Sequence, residues 1–276
     1  MKNEIVFSFA ASEVGPLSRA FIKLTELSTG QPKLKRIYDN YVKENRPPEL
    51  FWHDAVERLN LKVSIHSKIS QPIPNKGRLI VIANHPFGVA DGITICSMVS
   101  KIRQDLRLMT HRVLSQAPAV SHQILPIDFS QNKKALINNI KTKHQAQNHL
   151  LNEGVVIIFP SGEISSTKKL KQKAVEPEWK TFVSKLALKY KTPILPLFFE
   201  GQNSNVFHIA NKINQTLRYS VMMYELCKRM GKEINVHVGD LIEYETIKSI
   251  GDLKKISKFL RSETYKLDPD SKKYLS

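Results

Sequence analysis

Hydrophobic residues in this sequence form short continuous runs, separated by longer stretches with helical periodicity. The three strongest runs are LIVIA at residues 79–83, VVIIF at 155–159 and ILPLFF at 194–199. Runs without polar alternation are typical of strands buried on both faces, as in a parallel sheet. Four weaker runs are also predicted as strands, at residues 61–66, 106–110, 123–127 and 234–239.

The stretches between these strands carry apolar residues at helical spacing. Helices are predicted at residues 91–103, 132–153, 179–190, 217–230 and 253–267. Gly154, directly after the second of them, is a typical C-cap. Strands alternating with helices of this length predict an α/β domain with a mainly parallel or mixed central sheet flanked by helices.

The first sixty residues have a different pattern, with helical periodicity and no strong strand-like run. Leu17, Phe21, Leu24 and Leu27 repeat at helical spacing before Gly30. We therefore predict a helical N-terminal segment at residues 1–60 and an α/β domain at residues 61–276. The helix that carries these four residues is expected to pack on the domain, with a position in a membrane interface as the alternative.

The net charge of the chain is more unusual than the rest of its composition. The chain has 42 Lys and Arg against 25 Asp and Glu, a net charge of +17, which predicts attraction to anionic partners. Its two cysteines are expected to be reduced thiols in a cytosolic protein. The N-terminal run IVFSFAA is a poor signal peptide, and no apolar run approaches the ~20 residues that cross a bilayer. Membrane contact is therefore expected only at the surface.

Two polar residues stand where the first strong strand ends. His85 follows that strand by two residues, and Asp91 lies where the next helix is predicted to start. Ligands of open α/β sheets bind beyond the carboxyl ends of strands, and a His held by a carboxylate can act as a general base. Alternatively, Asp91 is only a helix cap and His85 an ordinary loop residue. A metal site is not predicted, because two ligands are too few.

A second polar turn, Phe159-Pro160-Ser161-Gly162-Glu163, also follows a buried strand directly. Such a turn presents backbone N–H groups beside a Lys-rich stretch and is a reasonable cradle for a phosphate or carboxylate. Taken alone, it is better explained as a plain strand-to-helix turn before a solvated basic face. The order of the two turns, followed by a third strand in TPILPLFFEG, carries more information than either turn does.

In order and spacing, these motifs resemble those of the glycerolipid (lysophospholipid) acyltransferase superfamily: N-H-x4-D, then F-P-E-G-T-R, then a V-P-hydrophobic strand. Here His85 and Asp91 form H-x5-D, and the second motif reads FPSGEIS. With PEWKTFVSKLALKYKTPILPLFFEGQNSNVFHIA downstream, the combination is similar to a bacterial branch labelled hemolysins or ornithine-lipid O-acyltransferases. The resemblance covers roughly residues 74–243.

The resemblance implies an O-acyltransferase that moves a fatty acyl group from an acyl carrier protein or coenzyme A thioester to a lysolipid hydroxyl. The thioester is a co-substrate, and no other cofactor is implied. His85 would remove the proton from the acceptor hydroxyl, and Asp91 would orient the imidazole. The predicted substrate-binding residues are Asn84, Phe159, Pro160, Ser161, Gly162 and Glu163.

The acceptor head group follows from what this sequence lacks. In phosphatidic-acid relatives the Arg that follows F-P-E-G in the second motif meets phosphate. Here Ile164 takes approximately that place, and Phe129 stands where an Arg is often found. An amino-acid lysolipid such as lyso-ornithine or lyso-glycine lipid is therefore favoured, with lysophosphatidic acid as the alternative. Arg112 and Lys168 are candidate anion contacts.

The expected partners are an acyl carrier protein, a lysolipid substrate and an anionic membrane surface, at the inner face of a bacterial membrane. Nucleic acid is not expected, because the basic residues are dispersed and no nucleic-acid motif is present. A basic nucleic-acid- or membrane-binding protein without catalysis is the alternative from another class. Hydrolysis, with water in place of the lipid hydroxyl, also stays open, as do acyl length, donor carrier and oligomeric state.

Overall fold

The computed structural model describes residues 8, 15–111, 114–115, 117–130, 132–167, 169 and 172–271. Seven strands are formed in this part of the chain: β1 Lys62–Ser67, β2 Leu79–Ala83, β3 Leu106–His111, β4 Ile124–Ile127, β5 Val155–Ile158, β6 Ile194–Phe199 and β7 Glu233–Val238. They make one sheet in the order β1-β7-β6-β2-β5-β3-β4. All neighbouring pairs are parallel except β6 and β7. The predicted sheet is confirmed.

Helices cover both faces of this sheet. Within the described residues they are α1 Pro16–Thr29, α2 Gln31–Lys43, α3 Phe51–Arg58, α4 Val89–Ser100, α5 Lys133–Leu151, α6 Phe182–Tyr190, α7 Asn205–Ile213, α8 Gln215–Ser220, α9 Met222–Arg229, α10 Tyr244–Ile250 and α11 Leu253–Tyr265. The helices α4, α5 and α6 connect parallel strands, as the alternating pattern predicted.

The central strand β2 shows why its sequence carries no polar alternation. Successive side chains of a strand point to opposite faces of the sheet. Val81 and Ala83 lie in the core that includes α4, whereas Ile80 and Ile82 lie in the core that includes α6. Every residue of β2 is buried. The strand must therefore be apolar at every position, and its carboxyl end is fixed from both sides.

The helix predictions are confirmed with two differences. The helix predicted at residues 217–230 is split between α8 and α9 at Val221. Its start also moves, because Asn214 is extended and its side chain accepts a hydrogen bond from the Leu217 N–H, capping α8. The helix predicted from residue 179 begins instead at Phe182, because Trp179 is buried in the loop before it. Neither α7 nor α10 was predicted.

The N-terminal helix α1 packs on the domain against α8 and α9, as expected. Its buried apolar residue is Ile22, whereas Leu17 is 86% exposed and Leu24 69% exposed, with Phe21 and Leu27 about half exposed. The four residues whose periodicity predicted the helix therefore do not form its contact with the domain. None of the described helices has both the length and the hydrophobicity that crossing a bilayer would require.

Candidate active site

The predicted pair of His85 and Asp91 is formed at the carboxyl end of β2. The Nδ1 atom of His85 lies 3.0 Å from Oδ2 of Asp91, which is on the first turn of α4 and completely buried. The imidazole stacks on Phe159, with ring centroids 3.9 Å apart. Because Nδ1 is engaged by the carboxylate, Nε2 is the ring nitrogen left to exchange a proton with a ligand.

Asp91 also caps the helix on which it lies. Its Oδ2 accepts hydrogen bonds from the backbone N–H groups of Phe87 and Gly88, at 2.8 and 3.0 Å. These bonds tie the loop before α4 to the first turn of the helix. The structure therefore combines the two interpretations that the sequence left open, because one carboxylate both caps α4 and holds the imidazole.

The electrostatics of this carboxylate are set mainly by burial. Burial raises the pKa of Asp91, and the hydrogen bonds from His85, Phe87 and Gly88 oppose that rise. A half-buried guanidinium lies nearby: Arg229 stacks over the ring of Phe87 at 3.7 Å. Burial lowers the pKa of Arg229, and the charge of Asp91 opposes that change. Arg229 therefore adds positive charge near Asp91, which the sequence did not reveal.

A groove of about 1400 Å³ opens at this end of the sheet. It is lined by His85 and by Phe159, Pro160, Gly162 and Glu163 of the second motif. The two motifs are also joined through the backbone, because the Ser165 N–H donates to the His85 carbonyl at 2.8 Å. Four of the predicted substrate-binding residues therefore face the same space as the histidine, and their contact with substrate stays a prediction.

The other two predicted substrate-binding residues point into the protein. Asn84 is buried and pairs with the backbone of Phe199, donating to its carbonyl at 2.9 Å and accepting from its N–H at 2.7 Å. Ser161 is also buried, and its hydroxyl donates to the Glu163 carbonyl at 2.9 Å. Both side chains fix the loops around His85, and a substrate contact for them stays a prediction.

The candidate anion contacts, Arg112 and Lys168, lie outside the described residues. Within the described part of the groove, the cationic side chains are Lys143, Lys180, Lys185, Lys189 and Arg218. None of these was singled out in the sequence. Lys180 stands in the PEWKTFVSK stretch that helped to identify the bacterial branch, directly before α6.

A buried carboxyl that the sequence did not reveal connects the two motifs. Glu176 Oε2 accepts a hydrogen bond from Trp179 Nε1 at 2.6 Å, and its Oε1 lies 3.1 Å from the Ser161 hydroxyl. The backbone of His85 also hydrogen-bonds to this carboxyl. Burial raises the pKa of Glu176 to about 8, and these hydrogen bonds only partly offset it. Near neutral pH the group is therefore mainly uncharged.

Because Glu176 is mainly uncharged near neutral pH, we predict that the stability of Glu176→Gln depends on pH differently from that of the wild type. Between the ordinary pKa of 4.5 and the folded value of about 8, only the folded state keeps the proton. The stability of the wild type should therefore fall as pH rises through this window, by up to ~1.4 kcal/mol per pH unit. The amide can donate to Ser161 and accept from Trp179 as the neutral acid does, so the variant should lack this dependence.

Chemical denaturation of both proteins from about pH 5 to pH 9 measures this difference. We expect nearly equal stability at the acidic end and a more stable variant at the alkaline end. A parallel pH dependence in the two proteins would show that Glu176 is ionised in the folded state at neutral pH.

Comparisons with known proteins identify the family of this chain. Residues 35–272 match the model of the Acyltransferase family. A lyso-glycine lipid O-acyltransferase of Phocaeicola vulgatus is 25% identical over 226 residues, covering 79% of this chain and 77% of the relative. The protein of the same name from Bacteroides thetaiotaomicron is 23% identical over 228 residues, covering 79% of each chain.

A solved structure supports the fold. The crystal structure of the 1-acyl-sn-glycerophosphate (LPA) acyltransferase PlsC from Thermotoga maritima superposes with a TM-score of 0.51 at 16% identity. The alignment covers 90% of this chain and 86% of that one. At this identity the likeness concerns the fold. The family match extends over most of the chain and includes both motifs at the groove. The chain therefore belongs to the Acyltransferase family, within the glycerolipid acyltransferase superfamily, and is an acyltransferase.

Proposed function

We propose that this enzyme transfers a fatty acyl group from a thioester to the hydroxyl of a lysolipid whose head group is an amino acid. The observation that carries the proposal is the His85–Asp91 pair, held at the carboxyl end of β2 and facing a groove lined by the second motif. The two relatives named lyso-glycine lipid O-acyltransferase support the choice of acceptor.

The reaction that we propose needs one general base. His85 Nε2 takes the proton from the acceptor hydroxyl while the hydroxyl oxygen attacks the thioester carbon. The tetrahedral intermediate then collapses, the carbon–sulfur bond breaks, and the imidazolium returns the proton to the departing thiolate. Asp91 holds the Nδ1–H tautomer throughout and stabilises the imidazolium. The products are an ester and a free thiol.

The acceptor, rather than a serine, supplies the nucleophile in this mechanism. Both serines of the second motif, Ser161 and Ser165, are buried, and the Ser161 hydroxyl is bonded to the carbonyl of Glu163. A serine in that environment cannot reach a substrate in the groove without breaking the turn. Direct transfer to a bound hydroxyl therefore fits the geometry better than a covalent serine intermediate does.

The donor and the place of action belong to the same proposal. An acyl carrier protein or coenzyme A thioester is anionic, and the net charge of +17 favours both. The exposed Leu17, Phe21, Leu24 and Leu27 of α1, with Arg19 and Lys23 on the same helix, would rest on an anionic lipid surface at the inner face of a bacterial membrane. Co-sedimentation with anionic vesicles tests this contact, and absence of binding would contradict it.

The experiment that tests the proposed function is acyl transfer by the purified protein. Labelled acyl carrier protein and acyl coenzyme A are offered with lyso-glycine lipid, lyso-ornithine lipid or lysophosphatidic acid. We expect ester formation with an amino-acid lysolipid. Transfer to lysophosphatidic acid alone would overturn the choice of head group. Thiol release at the same rate with and without acceptor would identify a thioester hydrolase instead.

A further inference from the structure

The ammonium of Lys180 lies against the second motif. The backbone N–H of Lys180 donates to the carbonyl of Pro160 at 3.1 Å, which ties the residue to the turn. A Cβ added to Gly162 would lie 3.0 Å from Lys180 Nζ. Both residues line the groove that contains His85. A positive charge is therefore placed at the second motif, inside the groove that contains His85.

Gly162 makes this approach feasible in two ways. Its φ of +71° is in the left-handed region, where glycine is favoured. Any side chain would also approach the ammonium more closely than Cβ contacts normally allow. The glycine of the second motif thus shapes the turn and leaves room for the cation of Lys180.

Among the residues that the structure describes, none provides a counter-ion for the charge of Lys180. Lys180 is exposed, and among the described residues no carboxylate lies within 4.0 Å of its Nζ. Glu163 lines the same groove but is beyond that distance. The amino end of α6, which starts two residues later, carries no side-chain cap and adds positive potential of its own. This part of the groove is therefore suited to an anion.

We propose that Lys180 binds the carboxylate of the acceptor's amino acid head group. The inference rests on the proposed function, and it names the contact that would select the head group. The second motif has the uncharged Ile164, which also lines the groove, at the position where the resemblance implies an Arg in phosphatidic-acid relatives. A single ammonium matches a singly charged carboxylate, whereas a phosphate is better met by the bidentate fork of Arg.

The decisive comparison removes the charge from either partner. Lys180→Gln and wild type are assayed with lyso-glycine lipid and with its methyl ester, which keeps the reactive hydroxyl but lacks the carboxylate. Lys258→Gln, on the exposed face of α11 and outside the groove, is the control. Lyso-ornithine lipid, which has the same carboxylate, shows whether the contact is shared by both acceptors.

We expect Lys180→Gln to raise KM for the acid by ~10–100-fold with little change in kcat, because a charge-assisted contact made equally in ground and transition state is lost. The methyl ester should react alike with both proteins, and Lys180→Arg should recover part of the loss. Equal damage with the acid and the ester would overturn the proposal, because it would show a structural role for Lys180.

A binding measurement separates this proposal from the proposed function. An N-acylglycine without the reactive hydroxyl keeps the carboxylate but cannot accept an acyl group. Its Kd in detergent micelles should rise ~10–100-fold in Lys180→Gln and stay unchanged in Lys258→Gln. Similar affinity in wild type and Lys180→Gln, or no binding by wild type, would overturn the proposal. If the N-acylglycine binds tightly through Lys180 but lyso-glycine lipid is not acylated, the binding site is supported and the proposed reaction is rejected.

Discussion

Replacing His85 with Ala is expected to lower the rate of acyl transfer by ~10²–10⁴-fold, the usual contribution of a general base. Without the imidazole, the group that we propose takes the proton of the acceptor hydroxyl while the oxygen attacks is lost. The effect should fall mainly on kcat, because a general base acts on the proton transferred in the transition state rather than on the bound head group. The measurement is steady-state transfer to lyso-glycine lipid.

The control for this variant is His144→Ala, which removes an exposed histidine from α5. It should retain wild-type activity. The melting temperature of His85→Ala should be compared as well, because His85 stacks on Phe159 and its loss affects packing. A folded His85→Ala variant with activity close to wild type would exclude the general-base role.

The second large effect is expected for Asp91→Asn, which changes the charge of the side chain and preserves its size. The amide oxygen can still accept the N–H groups of Phe87 and Gly88, so α4 keeps its cap. The same oxygen lies against His85 Nδ1, so it can keep the bond from the Nδ1–H, and the amide nitrogen takes the buried place of Oδ1. The variant therefore lacks only the negative charge that would stabilise the imidazolium formed during transfer. We expect a loss in kcat of ~10²–10⁴-fold.

Nitrogen-15 NMR of the imidazole tests the cause directly. Both proteins should show the Nδ1–H tautomer of His85, because the same oxygen position accepts that proton in each, and the loss of activity is then due to the missing charge. The companion variant Asp91→Ala should also lose ~1 kcal/mol of stability, because the cap of α4 is removed. An Asp91→Asn variant with full activity would show that Asp91 serves only as the helix cap.

The sequence by itself determined the sheet and the His85–Asp91 pair, because both are encoded locally. A strand buried on both faces must be apolar throughout, so the runs that became β2, β5 and β6 were recognisable without any partner. His85 and Asp91 are separated only by the short loop between β2 and α4, which keeps the two side chains close in space. The boundary at residue 60 stays a prediction.

Only the tertiary structure decided which surfaces are covered and which distant groups meet at the site. Periodicity identified an apolar face on α1, but the partners of that helix come from elsewhere in the chain and bury Ile22 instead. Asn84 hydrogen-bonds to the backbone of Phe199, and the carboxyl of Glu176 contacts the Ser161 hydroxyl. The ammonium of Lys180 lies beside Gly162. These contacts depend on the relative placement of packed elements, which helical or strand periodicity does not carry. The loops, the buried carboxyl and the cation that surround the dyad therefore follow from packing, whereas the dyad itself follows from local sequence.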